Sequence, residues 1–162
     1  MDASAERFAR LFDEQILMVY GYFAYLLLPR WHAEALTRRT FEYAFSVWDG
    51  EELDRDAAAT WLISIARIVL IEDDGLQALT DHGSSASQTG LDPEVESALR
   101  HVDAHDRELL ALRFGANLSE LEIAGITGMG PRDVRQGLSL SLRALYSALE
   151  QAAQGPGTPA PS

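Results

Sequence analysis

The 162-residue chain has no cysteine, no lysine and no long hydrophobic run. Without cysteine it cannot form a disulfide scaffold, a cysteine-ligated zinc site or a thiol nucleophile. Its longest apolar run, residues 16–28, is 13 residues long and contains Gly21. A helix needs roughly 20 apolar residues to cross a bilayer. We therefore expect no membrane segment.

Basic residues are also scarce, with 13 arginines against 25 acidic residues and a formal net charge of −12. Divided after Gly90, the first part carries 7 arginines and 15 acidic residues, and the second part carries 6 and 10. A nucleic-acid-binding protein needs a basic face, because it must displace counterions from phosphates. Since neither part is basic overall, the composition predicts weak or conditional DNA binding.

Apolar residues recur at spacings of three and four, which is typical of amphipathic helices. The predicted helices cover residues 5–28, 30–48, 56–70 (with a possible extension to 79), 93–102, 104–114, 119–127 and 131–152. The fold class is therefore predicted to be all-α. Ser- and Gly-rich composition predicts a flexible linker, and the Pro- and Gly-rich end predicts a disordered tail. The predicted segments are a helical domain at 1–79, the linker at 80–92, a helical domain at 93–152 and the tail at 153–162.

The first predicted helix is rich in aromatic residues, which are expected to lie mostly in the core. Phe8, Phe12 and Phe23 share its apolar face, whereas Tyr22 and Tyr25 lie off that face and are expected to point outward.

The opening residues carry acidic side chains and lead into the amphipathic pattern instead of a short apolar stretch. This start differs from a secretory signal peptide, so we expect a cytoplasmic protein.

Residues 118–138 combine several signals of a helix-turn-helix. Ser119 and Glu122 have the spacing of a capping box, in which each satisfies a free backbone donor at a helix start. Gly128 suits the turn, because a positive φ is easiest for glycine. Pro131 suits the first turn of the next helix. The spacing predicts a helix-turn-helix whose second helix begins at Pro131.

A helical hairpin with a glycine turn would show the same pattern without binding DNA. If the second helix enters a major groove, its outward side chains must donate to bases and phosphates. The candidate DNA contacts are Arg132, Arg135 and Arg143 of that helix, together with Ser119. With so few cations in the helix, we expect phosphate binding to be weak.

Three sequence motifs point to one family. Residues 107–113 read Arg-x-x-x-x-Leu-Arg and residues 119–124 read Ser-x-x-Glu-Ile-Ala, while residues 61–67 read Trp-Leu-x-x-Ile-Ala-Arg. In this order the chain resembles the short, two-domain sigma factors of bacterial RNA polymerase, the extracytoplasmic-function type. The resemblance implies a region 2-like domain that docks on the polymerase and opens the minus-10 element, followed by a region 4-like domain that reads the minus-35 element.

The resemblance also implies polymerase contacts on the second helix, at Glu34, Arg38, Arg39 and Glu42. The family's Asp and Gln in this helix are replaced here. Where the family continues from the Trp-Leu motif into a basic stretch, this chain has Glu72, Asp73 and Asp74, which repel phosphates.

Arginines of the family's recognition helix fall on Gly137, Leu140 and Leu142 of this chain. Outward leucines favour a protein contact over a DNA contact. A candidate partner patch is therefore composed of Glu72, Asp73, Asp74, Leu140 and Leu142.

Two functions follow from this comparison. The first is a sigma-factor-like protein in transcription initiation, with RNA polymerase core and promoter DNA as partners. The second is a sigma mimic, a protein-interaction module that binds an anti-sigma factor or polymerase without opening DNA.

His101 and His105 lack a third metal ligand at fixed spacing, and the chain has no glycine-rich phosphate loop. We expect no catalytic residue, metal or cofactor.

Overall fold

The computed structural model of the protein describes residues 2–73 and 90–154. The first three helices are α1 (Ala3–Tyr25), α2 (Arg30–Val47) and α3 (Arg55–Glu72). The others are α4 (Pro93–Leu99), α5 (Ala104–Leu110), α6 (Glu120–Thr127) and α7 (Pro131–Ala153), and a π turn (Ala111–Gly115) continues α5. Within the described ranges no residue lies in a strand, and the all-α class is confirmed.

Some predicted features lie outside the described residues. These are the extension of the third helix over residues 74–79, residues 80–89 of the predicted linker, residues 155–162 of the predicted tail, and Asp74 of the candidate partner patch. Among the helices that are described, none is both long enough and apolar enough to cross a bilayer.

Short-range signals set the helix ends. The Asp54 side chain accepts a hydrogen bond from the Ala57 N–H at 2.8 Å and begins α3. Helix α1 ends at Tyr25, earlier than predicted, because Leu27 turns the chain with a φ of 63° before Pro29. Pro29 then occupies the N-cap position of α2.

One apolar core joins the first three helices to the later ones. From the first three it contains Val19, Phe23, Leu36, Leu62 and Ile65, and from the later segments Leu109, Leu112, Ile123, Val134 and Leu138. A second, smaller cluster forms around Leu99, Val102 and Leu110. Helix α1 therefore packs on both sides, against α2 and α3 and against the π turn. The division into domains at 1–79 and 93–152 stays a prediction.

The expected outward orientation of Tyr22 is wrong. Its side chain is fully buried and its hydroxyl donates to Glu108 Oε1 at 3.3 Å. Burial and the charge of Glu108 raise the pKa of Tyr22 well above its usual value. The reason is a contact between segments that are distant in sequence. One face of α1 packs against α2 and α3, and the face on the other side, which would otherwise be exposed, is covered by the π turn. Tyr25 is partly buried against the second cluster.

Candidate functional site

A large apolar groove runs between α1 and α2. Its volume is about 900 Å³, and its α1 wall is formed by Phe8, Phe12, Ile16, Leu17 and Tyr20. From Phe8 to Tyr20 there are twelve helical steps, which rise about 18 Å. Leu17 is 80% exposed, and Phe45 of the α2 wall is 54% exposed. We call this the α1–α2 groove. It leaves apolar surface in water at a concave site, which is typical of a surface that binds a partner.

Three of the four predicted polymerase contacts line the α1–α2 groove. Glu34, Arg38 and Glu42 lie on its α2 side, where Arg38 pairs with Glu42 at 3.9 Å. Arg39 points elsewhere and forms an ion pair with Asp73 at the end of α3. The rim is therefore nearly balanced in charge. Most of the surface that a partner could contact in the groove is apolar.

The predicted helix-turn-helix forms at α6 and α7. The capping box is confirmed: the Ser119 hydroxyl accepts from the Glu122 N–H at 3.2 Å, and Glu122 Oε1 accepts from the Ser119 N–H at 3.1 Å. Gly128 has the expected positive φ, 75°, and ends α6. Pro131 begins α7, as its position predicts. The Ser119 hydroxyl thus serves as a helix cap at the start of α6.

The Glu122 carboxylate of this cap also accepts a hydrogen bond from α3, and its pKa reflects both contacts. Burial alone would raise the pKa of Glu122, but hydrogen bonds from Ser119 and from Thr60 of α3 outweigh it, so the pKa lies below its usual value. Glu122 therefore stays ionised over a wide pH range. It holds the N-terminus of α6 and a contact to α3 at the same time.

The candidate DNA contacts of α7 lie on one exposed side of that helix. Arg132 and Arg143 are eleven residues apart, which is about three turns and 16 Å. Arg135 is exposed on the same side and donates to Glu120 Oε2 at 3.0 Å, which partly neutralises it. The three arginines can therefore reach one ligand, with Arg135 already engaged in an ion pair.

The four described residues of the candidate partner patch, Glu72, Asp73, Leu140 and Leu142, do not form one exposed surface. Glu72 is exposed, while Asp73 accepts from His32 at 2.6 Å and from Arg39. Leu140 is 51% exposed on α7, but Leu142 packs against the second cluster around Leu99.

Gly137, the first of the positions where the resembling family has an arginine, also faces inward. A Cβ on Gly137 would lie 2.8 Å from Leu109 Cδ1. Of the three family arginine positions on α7, only that of Leu140 is on the outer surface.

Sequence reasoning missed the α1–α2 groove and the contacts between α3 and α6. The amphipathic period shows which residues are apolar, but it does not show that Phe12 and Tyr20 are only partly covered. Gly21, a poor helix former near the C-terminal end of α1, is a sequence signal for a different close contact, the one between α1 and the π turn at Gly115. Across residues 2–73 and 90–154, no three His, Asp or Glu side chains come together as metal ligands.

This arrangement of α-helices, with a helix-turn-helix near the C-terminus, is the fold of a sigma factor. The chain is similar to the sigma factor RpoE of Bartonella quintana, solved as a co-crystal structure in complex with the anti-sigma factor NepR. The TM-score is 0.63 and the identity 22%, over 83% of this chain and 92% of that one. The resemblance in sequence motifs is thus confirmed for the fold. No protein-family model and no curated protein matches the chain.

Proposed function

We propose that the protein is a sigma-factor-like protein of transcription initiation that binds RNA polymerase core and promoter DNA. The observation that carries the proposal is the exposed arginine side of α7, set on a helix-turn-helix within a sigma-factor fold. The role is one of binding, without catalysis or cofactor. It would be carried out in the cytoplasm, where the polymerase works.

The α1–α2 groove is the proposed polymerase-docking surface. It is long enough for three turns of a partner helix, and its rim contains Glu34, Arg38 and Glu42, which the sequence had already indicated. Because the rim charges pair with one another, docking would depend mainly on apolar contacts, with the charges setting the orientation of the partner.

The proposal is tested by titrating the labelled protein with purified core RNA polymerase and following fluorescence anisotropy at low and moderate salt. Saturable binding that persists at moderate salt is expected, because an apolar groove is less sensitive to screening than an ion-pair surface. A folded protein that does not bind the core enzyme would contradict the proposal.

Replacing Leu17 by Lys should weaken polymerase binding about 30-fold, because truncating an apolar interface anchor costs on the order of 2 kcal/mol. Leu17 is largely exposed, so stability should change by less than about 0.5 kcal/mol. Leu121→Lys is the matched control, since Leu121 is 74% exposed on α6 and does not line the groove. Equal losses in both variants would show that the groove is not the docking surface.

Replacing Arg132 and Arg135 by Ala should weaken DNA binding by about 1 to 3 kcal/mol for each contact to a base, or reduce the salt slope by about 1 for each contact to a phosphate. The measurement is anisotropy of a labelled duplex that the polymerase-bound wild-type protein selects from a random library. Arg55→Ala, an exposed arginine at the start of α3, is the control. Unchanged affinity in the double variant would remove α7 from DNA recognition.

A second function, the sigma mimic, is favoured by the charge distribution. The net charge is −12, one of the three arginines on the exposed side of α7 is paired, and Glu72 and Asp73 replace a basic stretch at the end of α3. Its proposed partner is an anti-sigma factor, such as the one that binds the similar sigma factor of known structure. Failure to bind core polymerase, together with tight binding of an anti-sigma factor, would favour the mimic.

A further inference from the structure

Charged residues of alternating sign follow one another along the exposed side of α2. They are spaced at four residues, or about 6 Å of helix, and are Arg30, Glu34, Arg38 and Glu42. All four side chains line the α1–α2 groove, and each is more than half exposed. We call this row the α2 charge ladder. Rows of residues four apart are the ridges through which helices most commonly pack against each other.

The α2 charge ladder is complementary to itself when two copies of the helix lie antiparallel. A twofold axis level with Leu36 places Glu34 beside Arg38 of a second copy. The same axis places Arg30 beside Glu42 of the second copy, and each pair occurs twice. A shift of the two helices by one turn would instead bring like charges together, so the ladder selects one register.

Trp31 supplies an apolar contact beside the α2 charge ladder. Its side chain is 70% exposed, and its ring stacks on the His32 ring with 5.0 Å between the centroids. His32 is itself held by Asp73, 2.6 Å from its Nε2. The stack holds the indole in one orientation, so little rotamer freedom is lost on binding. The twofold axis brings Trp31 of one copy level with Phe41, in the α1–α2 groove of the other.

The charge of the whole chain favours this face for self-association. Each copy carries a formal net charge of −12, so two copies repel each other in most orientations. The α2 charge ladder has two positive and two negative residues and adds no net charge. Two copies can therefore meet at this face with opposite charges side by side. The arginine side of α7 cannot pair with itself in this way, because two such faces repel each other.

We propose that the protein forms a twofold homodimer through α2. In it the charge ladders of two copies pair antiparallel, and Trp31 of each copy enters the α1–α2 groove of the other. Resting on the function proposed above, this dimer covers the polymerase-docking surface, and only the monomer binds core polymerase. A partner that binds one of two states has an apparent affinity reduced by the fraction of that state. The protein's own concentration thus sets how strongly the polymerase binds.

The test is sedimentation of the protein alone over a wide range of concentration. Glu34→Arg brings like charges together in two pairs of the dimer. The double exchange of Glu34→Arg with Arg38→Glu restores opposite charges within its own dimer, but sets like charges against the wild type. Glu150→Arg, at an exposed site on α7 outside the groove, is the control with the same change in net charge as Glu34→Arg.

We expect the wild type and Glu150→Arg to dimerise equally as concentration rises. Glu34→Arg should weaken dimerisation at least about tenfold, because like charges replace opposite charges across the interface. The double exchange should regain most of the affinity. Because the chain has no cysteine, Ser147→Cys gives a unique dye position on α7. A trace of this labelled protein should sediment as a monomer in an excess of the double exchange and as a dimer in an excess of wild type.

A monomer at every concentration would overturn the proposal, as would a dimer that Glu34→Arg leaves as tight as the wild type. Equal association of the labelled protein with wild type and with the double exchange would also overturn it. If Glu34→Arg loses its helical circular dichroism, the mixing measurement decides. If a dimer forms but no form binds polymerase, the proposed function fails and the dimer stands. A polymerase complex that contains the intact dimer would contradict the shared surface.

Discussion

Replacement of Arg107 by Met is expected to lower the free energy of unfolding by about 3 kcal/mol, because two buried carbonyl groups lose a charged donor. Arg107 is only 2% exposed. Its Nε donates to the Leu99 carbonyl at 3.1 Å and its Nη2 to the Val102 carbonyl at 2.8 Å, which fixes the connection between α4 and α5. Burial lowers the pKa of Arg107 and Asp103 opposes this, but the guanidinium remains charged.

Urea denaturation followed by circular dichroism measures this loss. Arg107→Lys keeps the charge but has no planar fork, so it should satisfy one carbonyl and lose less than Arg107→Met. Arg100→Met is the surface control, since the Arg100 side chain is 43% exposed and its pair with Glu96, four residues earlier in the same helix, is of a kind worth about 0.5 kcal/mol. If Arg107→Met and Arg100→Met lost equally little stability, the buried bonds of Arg107 would not support the fold.

This role of Arg107 also bears on how the family resemblance is interpreted. The Arg-x-x-x-x-Leu-Arg motif begins at Arg107, and its first arginine is a structural residue in this chain. Its last, Arg113, donates to the Leu118 carbonyl ahead of α6. Both arginines hold the chain segments around the helix-turn-helix. The motif therefore predicts the fold better than it predicts a contact with DNA.

The helices and the helix-turn-helix could be predicted because their signals are local. The capping box of Ser119 and Glu122, the left-handed turn at Gly128 and the first-turn Pro131 each depend on residues within a few positions in the chain. Helix ends were less predictable. Helix α1 ends at Tyr25 because Leu27 adopts a positive φ. Leucine rarely adopts a positive φ, so the sequence does not predict this turn.

The tertiary contacts could not be predicted from the period of apolar residues. Tyr22 and Leu142 were expected outside, and both are covered by segments distant in sequence. Conversely, the α1–α2 groove leaves Leu17 in water although its helix is strongly apolar. A period gives the direction of a side chain relative to its own helix axis, but which neighbour covers that direction depends on the whole fold.

Leu112→Ala should destabilise the protein by about 3 kcal/mol, because it leaves a cavity in a fully buried part of the core. Leu112 belongs to the π turn but lies in the same apolar cluster as residues of α1, α2 and α3. We expect the first three helices to unfold with the rest. Trp31 lies in α2, Trp48 follows directly after α2 and Trp61 lies in α3, and the chain has no other tryptophan, so fluorescence follows this part of the fold while circular dichroism follows the whole chain.

The measurement compares the unfolding midpoint seen by tryptophan fluorescence with the midpoint seen by circular dichroism. If fluorescence and circular dichroism shift together in Leu112→Ala, the predicted domains 1–79 and 93–152 unfold as one cooperative unit. If the fluorescence midpoint stays at its wild-type value while circular dichroism shifts, the first three helices are stable without the π turn. The shared core would then contribute little to them. Leu140→Ala, at an exposed site on α7, should leave both midpoints unchanged.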